Sequence, residues 1–134
     1  MEAKEKTALE FYQIIGKLFF AIAAADKIVR KSEYKALLEL VNSYWVELDE
    51  YEDEFHADAA FQIEIVFGWL DYNQANAVDC FADFEEYLKT HRDLFTEKRK
   101  QLIWKTANAI ANAFSGKNKS ELIMLTKLKL NLEK

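Results

Sequence analysis

The chain has no proline, three glycines and one cysteine in 134 residues. With glycine confined to Gly16, Gly68 and Gly116, little is available for the tight turns of a β-sandwich or barrel, and the composition points to an all-α domain. A lone Cys80 excludes an internal disulfide framework and a cysteine-rich zinc site, in keeping with a reducing compartment. Long apolar runs are also missing. The longest uncharged stretch, Thr106 to Gly116, has eleven residues, well short of the roughly 20 that a membrane-spanning helix needs. The opening Met-Glu-Ala-Lys-Glu-Lys places charges where a signal peptide requires an apolar core, so the expected location is the cytoplasm, away from any membrane.

Positive charge is absent from the middle of the chain. Between Ala36 and Leu88 there is no Lys or Arg, against fourteen acids, so this segment carries −14, whereas residues 1–35 carry +2 and residues 89–134 carry +7. The net charge of −5 conceals that segregation. A strongly acidic face disfavours sequence-independent binding to phosphate backbones, which makes a nucleic-acid partner an unpromising expectation despite Lys89, Arg92, Lys98, Arg99, Lys100 and Lys105.

What is present is helical periodicity. Residues 1–134, 51% hydrophobic, are enough for one sizeable core and one domain. Leu9, Tyr12, Ile15, Leu18, Phe19 and Ile22 recur at three- and four-residue intervals and predict a helix over about residues 6–25. Tyr34, Leu37, Leu38, Val41, Trp45 and Leu48 predict a second, with Ser32 as its cap. Residues 59–70 are so apolar that a helix there is expected at the centre of a bundle, a strand over 62–67 being the alternative. Ala77, Cys80, Phe81, Phe84, Tyr87 and Leu88 mark a fourth helix, interrupted at 90–95, with Thr96 capping the next. Leu102, Ile103, Thr106, Ile110, Ala113 and Phe114 stripe a fifth helix, and Ser115-Gly116 suits its left-handed end. A sixth helix, capped by Ser120, has Leu122, Leu125, Leu128 and Leu132 on its expected buried side.

An internal repeat ties these elements together. Residues 21–40 align without a gap on 109–128, an offset of 88, with nine identities: Ala21/Ala109, Ile22/Ile110, Ala23/Ala111, Ala25/Ala113, Lys31/Lys119, Ser32/Ser120, Glu33/Glu121, Leu37/Leu125 and Leu40/Leu128. The copies, about 18–48 and 102–132, predict two helical hairpins flanking a central pair: a compact six-helix bundle in which paired alanines allow close helix approach.

The segment Leu18-Phe19-Phe20-Ala21-Ile22-Ala23-Ala24-Ala25-Asp26-Lys27-Ile28-Val29-Arg30-Lys31-Ser32-Glu33 resembles the signature of the tellurite-resistance TerB-like family. That signature is an alanine-rich helix, an Asp-Gly turn, an Ile or Val close behind the aspartate, and a Glu opening the next helix. The resemblance implies an all-helical domain with two copies of the motif, a role in tellurite resistance or a bacterial stress response, and acids that hold a divalent cation. Asp26 and Glu33 match the acids of the first copy, with Lys27 where glycine is usual; in the second copy Glu121 matches, Phe114 replaces the aspartate and Gly116 is displaced by one position. The implied metal ligands are therefore Asp26 and Glu33, for a hard ion such as Ca²⁺ or Mg²⁺, whose six or so oxygen donors would have to be completed by carbonyls, waters or the central acids. Without metal, the same pair has structural roles: Glu33 complements a helix dipole and Asp26 closes a turn.

No catalytic set accompanies the repeat, and a non-enzymatic role is expected. A calcium loop counted from Asp49 would place Tyr51, Phe55 and Ala60 at ligand positions, which excludes an EF-hand. A di-iron bundle needs two carboxylate-x-x-His pairs, and only Asp53-Glu54-Phe55-His56 is available. Cys80 lies on an apolar stripe, as a core residue would, and no glycine-rich phosphate loop or Gly-x-Ser-x-Gly turn occurs. The acidic middle does concentrate aromatic residues: Tyr44, Trp45, Tyr51, Phe55, Phe61, Phe67, Trp69, Tyr72, Phe81, Phe84 and Tyr87. Their helical spacing favours filling the core, the alternative being to anchor a basic protein partner amid like charge; exposure of Tyr44, Tyr51 and Phe55 on one surface would favour docking, and their burial would remove its anchors.

Overall fold

A computed structural model describes residues 2–25, 31–45, 53–113 and 119–133; of residues 2–8, 31–33, 36, 42, 44–45, 53–61, 113 and 120–121 it describes the backbone alone. Six helices make up these residues: α1 (Glu2–Ala23), α2 (Lys31–Trp45), α3 (Asp53–Tyr72), α4 (Ala77–Thr90), α5 (Glu97–Ala113) and α6 (Lys119–Glu133). A 3₁₀ turn at Arg92–Leu94 separates α4 from α5, and no strand occurs among the described residues. The all-α bundle expected from composition is the observed fold. Residues 62–67, where a strand was the alternative, lie inside α3. None of the helices is long and apolar enough, over the described residues, to cross a membrane.

The repeat is expressed in the structure to the residue. α2 opens at Lys31 and α6 at Lys119, 88 positions apart, each one residue ahead of the serine expected to cap it. Burial repeats with the same offset and beyond the aligned segment: Ile15/Ile103, Leu18/Thr106, Phe19/Ala107, Ile22/Ile110, Ala23/Ala111 and Leu37/Leu125 are all buried pairs. Thr106, the polar member, satisfies its hydroxyl by donating to the Leu102 carbonyl at 2.8 Å.

The centre of the bundle is α1, a correction to the expectation that the apolar 59–70 helix would lie there. α1 packs against α3, α4, α5 and α6, and Phe11, Tyr12, Ile15 and every residue from Leu18 to Ala24 are buried. Its carboxyl-terminal half ends in small residues, so helices can close on it from several sides. α3 instead divides its apolar residues between two stripes. Ile63, Phe67 and Leu70 face the core, and Gly16 allows the approach: a Cβ there would stand 3.1 Å from the Val66 Cβ and 3.2 Å from the Ile63 carbonyl oxygen. The other stripe faces outward.

Two junctions show how glycine-poor sequence turns corners. α3 ends with Gln74 in the left-handed region (φ 52°), the Gln74 amide donating to the Asp71 carbonyl and the Ala75 amide to the Leu70 carbonyl, at 3.1 and 3.0 Å. This is the Schellman arrangement, with Gln where glycine is usual and Ala75 packed at the core beside the end of the helix. Asn76 then caps α4 by accepting from the Asp79 amide at 3.0 Å. At the other junction Thr96 accepts from the Arg99 amide at 3.2 Å, the capping role expected of it. Phe95 fills the corner against Phe11, Phe84 and Tyr87.

Candidate docking surface

The surface is built on α3, whose inner side is pinned by three contacts. Phe67 meets Phe20 of α1 and Tyr34 of α2, ring centroids 5.5 and 5.4 Å apart. Tyr34 lies across α3 at Gly68, donates to the Glu64 carbonyl at 3.4 Å, and would stand 2.6 Å from a Cβ at position 68. Burial, followed by the Glu64 and Asp71 carboxylates, pushes the Tyr34 hydroxyl above its ordinary pKa. Both carboxylates are thus close enough to be felt along this edge of α3.

With the inner side fixed, the helical period turns Ile65, Trp69 and Tyr72 to the opposite side. Their exposures are 46%, 64% and 87%. Positions i, i+4 and i+7 form one straight stripe about 10 Å long, two aromatic rings and one branched aliphatic side chain. Glu64 and Asp71, also seven residues apart, flank it on the side toward Tyr34. Across the next turn α4 begins with an exposed Val78 and the exposed Asp79. Trp and Tyr combine a large apolar area with a polar edge and few rotatable bonds, which suits them to anchor a partner.

The other residues marked by sequence fall elsewhere. Of the expected metal pair, Asp26 lies outside the described residues and Glu33 is described only as backbone in the first turn of α2. Among the described residues no group of three or more His, Cys, Asp and Glu converges as a metal site. Tyr44 and Phe55 are described as backbone alone, and Tyr51 lies outside the described residues. Cys80 is buried on α4, and burial raises its thiol pKa above the ordinary value, the reverse of what a nucleophile requires. Within the basic set, Arg99 serves the fold: its guanidinium donates to the Leu94 carbonyl at 2.8 Å and lies 4.8 Å from the centre of the Phe11 ring. Leu122, expected on the buried side of α6, is exposed. A shallow groove of about 390 Å³ between α5 and α6 is lined by Glu97, Lys100, Gln101, Trp104, Lys129, Leu132 and Glu133, a mixture of charges with no convergent set.

By sequence alone Trp69 and Tyr72 are among the rings of the acidic middle and Ile65 belongs to a central helix. The signal for their exposure is that α3 is apolar on two sides while α1 is the better centre. No family model, curated protein or solved structure matches this chain.

Proposed function

We propose that this chain is a non-enzymatic docking module that captures a basic partner on the outer stripe of α3, without metal. The observation that carries this reading is the exposure of Trp69 and Tyr72 on one face of a helix whose segment of chain holds fourteen acids and no base. An apolar stripe lets the partner bury rings that water now covers, and the carboxylates beside it speed encounter and set orientation. A cationic amphipathic helix is the partner chemistry that satisfies both.

The test is a titration of a dye-labelled synthetic Leu/Lys amphipathic peptide and of its Leu/Glu counterpart, read from peptide anisotropy for wild type and variant alike and from tryptophan emission for the wild type, at about 0.05 M and about 0.5 M salt. The Lys peptide should bind, shift the emission to the blue and weaken at high salt, and the Glu peptide should do neither. A Trp69→Ala/Tyr72→Ala variant keeps every charge and should lose binding. Binding that persists in this variant, or no binding of the Lys peptide, overturns the reading.

The equivalent helices beginning at Lys31 and Lys119 support a second reading, a TerB-like domain responding to Ca²⁺ or Mg²⁺ through Asp26 and Glu33. Thermal unfolding of metal-stripped protein tests it. Saturating one ion at about 100 times its dissociation constant should add roughly 2.7 kcal/mol, a shift that Asp26→Asn/Glu33→Gln should abolish.

A further inference from the structure

α6 carries a second outward apolar stripe. Its inner side is well buried through Met124, Leu125, Leu128 and Leu132, yet Leu122, Ile123 and Leu130 on the opposite side are 47%, 48% and 56% exposed. Thr126 lies between them on the same face and is exposed as well. At 1.5 Å per residue this stripe is about 12 Å long, matching the roughly 10 Å of the α3 stripe. Its flanks are mainly of the opposite charge: Lys127 and Lys129 are exposed on either side of it and Lys119 at its head, with the exposed Glu133 at its foot the one acid there among the described side chains.

The repeat marks the same face independently. Leu122 is the counterpart of Tyr34, 88 positions earlier. In the first copy Tyr34 is covered by α3, its ring 5.4 Å from Phe67; in the second copy that position is open.

Resting on the docking reading of α3, we infer that the basic partner is α6 of a second copy of this chain. The acidic stripe of one molecule receives the basic stripe of the next. Charge selects this pairing among the three possible: α3 against α3 opposes Glu64 and Asp71 to themselves, α6 against α6 opposes lysine to lysine, and α3 against α6 joins unlike charges. The contact is therefore head-to-tail, and each molecule in a growing assembly retains one free stripe of each kind unless a ring closes. Stripes of this length bury less than the roughly 1,200 Å² of a stable interface, so the association is weak and concentration-dependent.

Sedimentation equilibrium from micromolar to several hundred micromolar protein tests the inference on the full chain. The average mass should rise with concentration at about 0.05 M salt and return to the monomer at about 0.5 M. Trp69→Ala/Tyr72→Ala, which retains the α6 stripe, and Leu122→Ser/Leu130→Ser, which retains the α3 stripe, should each be monomeric alone. All four positions are exposed, and unchanged helical circular dichroism verifies the folds. Mixed, the two variants should form a one-to-one complex and stop, because each supplies the stripe that the other lacks. A wild-type chain that stays monomeric, either variant associating as well as wild type, or a mixture that forms no complex overturns the inference. If the chain stays monomeric while the Leu/Lys peptide binds α3, only the identity of the partner fails; if the peptide also fails to bind, the docking reading falls with it.

Discussion

The contact between Tyr34 and Gly68 is predicted to reverse the effect of one substitution according to the residue across from it. Gly68→Ala alone should gain roughly 1 kcal/mol of helix propensity, since glycine in a helix interior is disfavoured by about that amount. Against this, the new Cβ would lie 2.6 Å from the Tyr34 hydroxyl oxygen and force the ring off its place on α3. Overpacking of that kind costs about 1–3 kcal/mol, so the net effect is destabilising by up to about 2 kcal/mol. Tyr34→Phe removes the offending oxygen, and the nearest ring atom is then Cζ at 3.5 Å, an ordinary contact. The hydrogen bond lost with it is long, 3.4 Å, so the single change should cost under about 1 kcal/mol. In the Tyr34→Phe background Gly68→Ala should therefore stabilise, by up to about 1 kcal/mol. Urea unfolding of the four proteins gives the cycle and its coupling term. A cost for Gly68→Ala that is the same in both backgrounds would refute the steric reasoning.

Two neighbours on α3 should respond in opposite ways: Phe67→Ala, which empties a fully buried site between Phe20 and Tyr34, should cost about 3–5 kcal/mol by denaturant unfolding, whereas exposed Trp69→Ala should stay within about 0.5 kcal/mol. Gln74→Gly should raise stability by up to about 1 kcal/mol, because the left-handed conformation costs an L residue about 1–2 kcal/mol and glycine returns part of that gain as chain entropy. Tyr34 and Tyr87 have hydroxyl pKa values raised by burial first and by nearby carboxylates second, from an ordinary value of 10.0. The folded state holds these protons more tightly than the unfolded state, so their contribution is complete below pH 10 and is lost as pH rises through the folded values. Unfolding measured across that range should show stability falling, and less steeply in Tyr87→Phe. That variant should also be neutral or mildly stabilising at pH 7, since the Tyr87 hydroxyl is buried with no partner among the described residues.

The repeat is the most informative part of the sequence because it constrains two places at once: an 88-residue offset predicts equivalent helices capped at Ser32 and Ser120, and the two helices open together one residue earlier, at Lys31 and Lys119. Periodicity likewise located α4 and the Thr96 junction, where stripe and cap agree. It could not place α3. A helix apolar on two sides has two ways to face inward, and the choice depends on which neighbour offers the closer surface; Gly16 on α1 and Tyr34 on α2 make that choice in three dimensions. The turn after α3 escaped notice for a local reason: Gln74 adopts a conformation normally advertised by glycine or asparagine. Leu122 has the correct period on α6 yet is left 47% exposed, because the buried side of the helix centres on Met124, Leu125, Leu128 and Leu132. The outer stripe of α3 is thus half legible, as residue types in an acidic segment, and its exposure needs the packing.

Among the described residues the ion pair and the charged hydrogen bond between helices contribute little to cohesion, which leaves the segregated charge for the proposed recognition. The ion pair from α1 to α4, Lys17 to Asp83 at 3.1 Å, has both side chains partly in water, where such pairs contribute under about 1 kcal/mol. The link from α6 to α4, Asn131 donating to the Glu85 carboxylate at 2.8 Å, involves a neutral donor. Cohesion comes instead from the apolar core around α1, which salt does not screen. Between molecules the balance is the reverse: short stripes bury little area, and the fields beside them supply orientation and encounter rate within a Debye length of about 8–10 Å at moderate salt. Folding and association should therefore separate along the salt axis. Raising ionic strength leaves the fold intact while it removes the attraction between acidic α3 and basic α6, so weak contacts of this kind are governed by the ionic conditions around the protein.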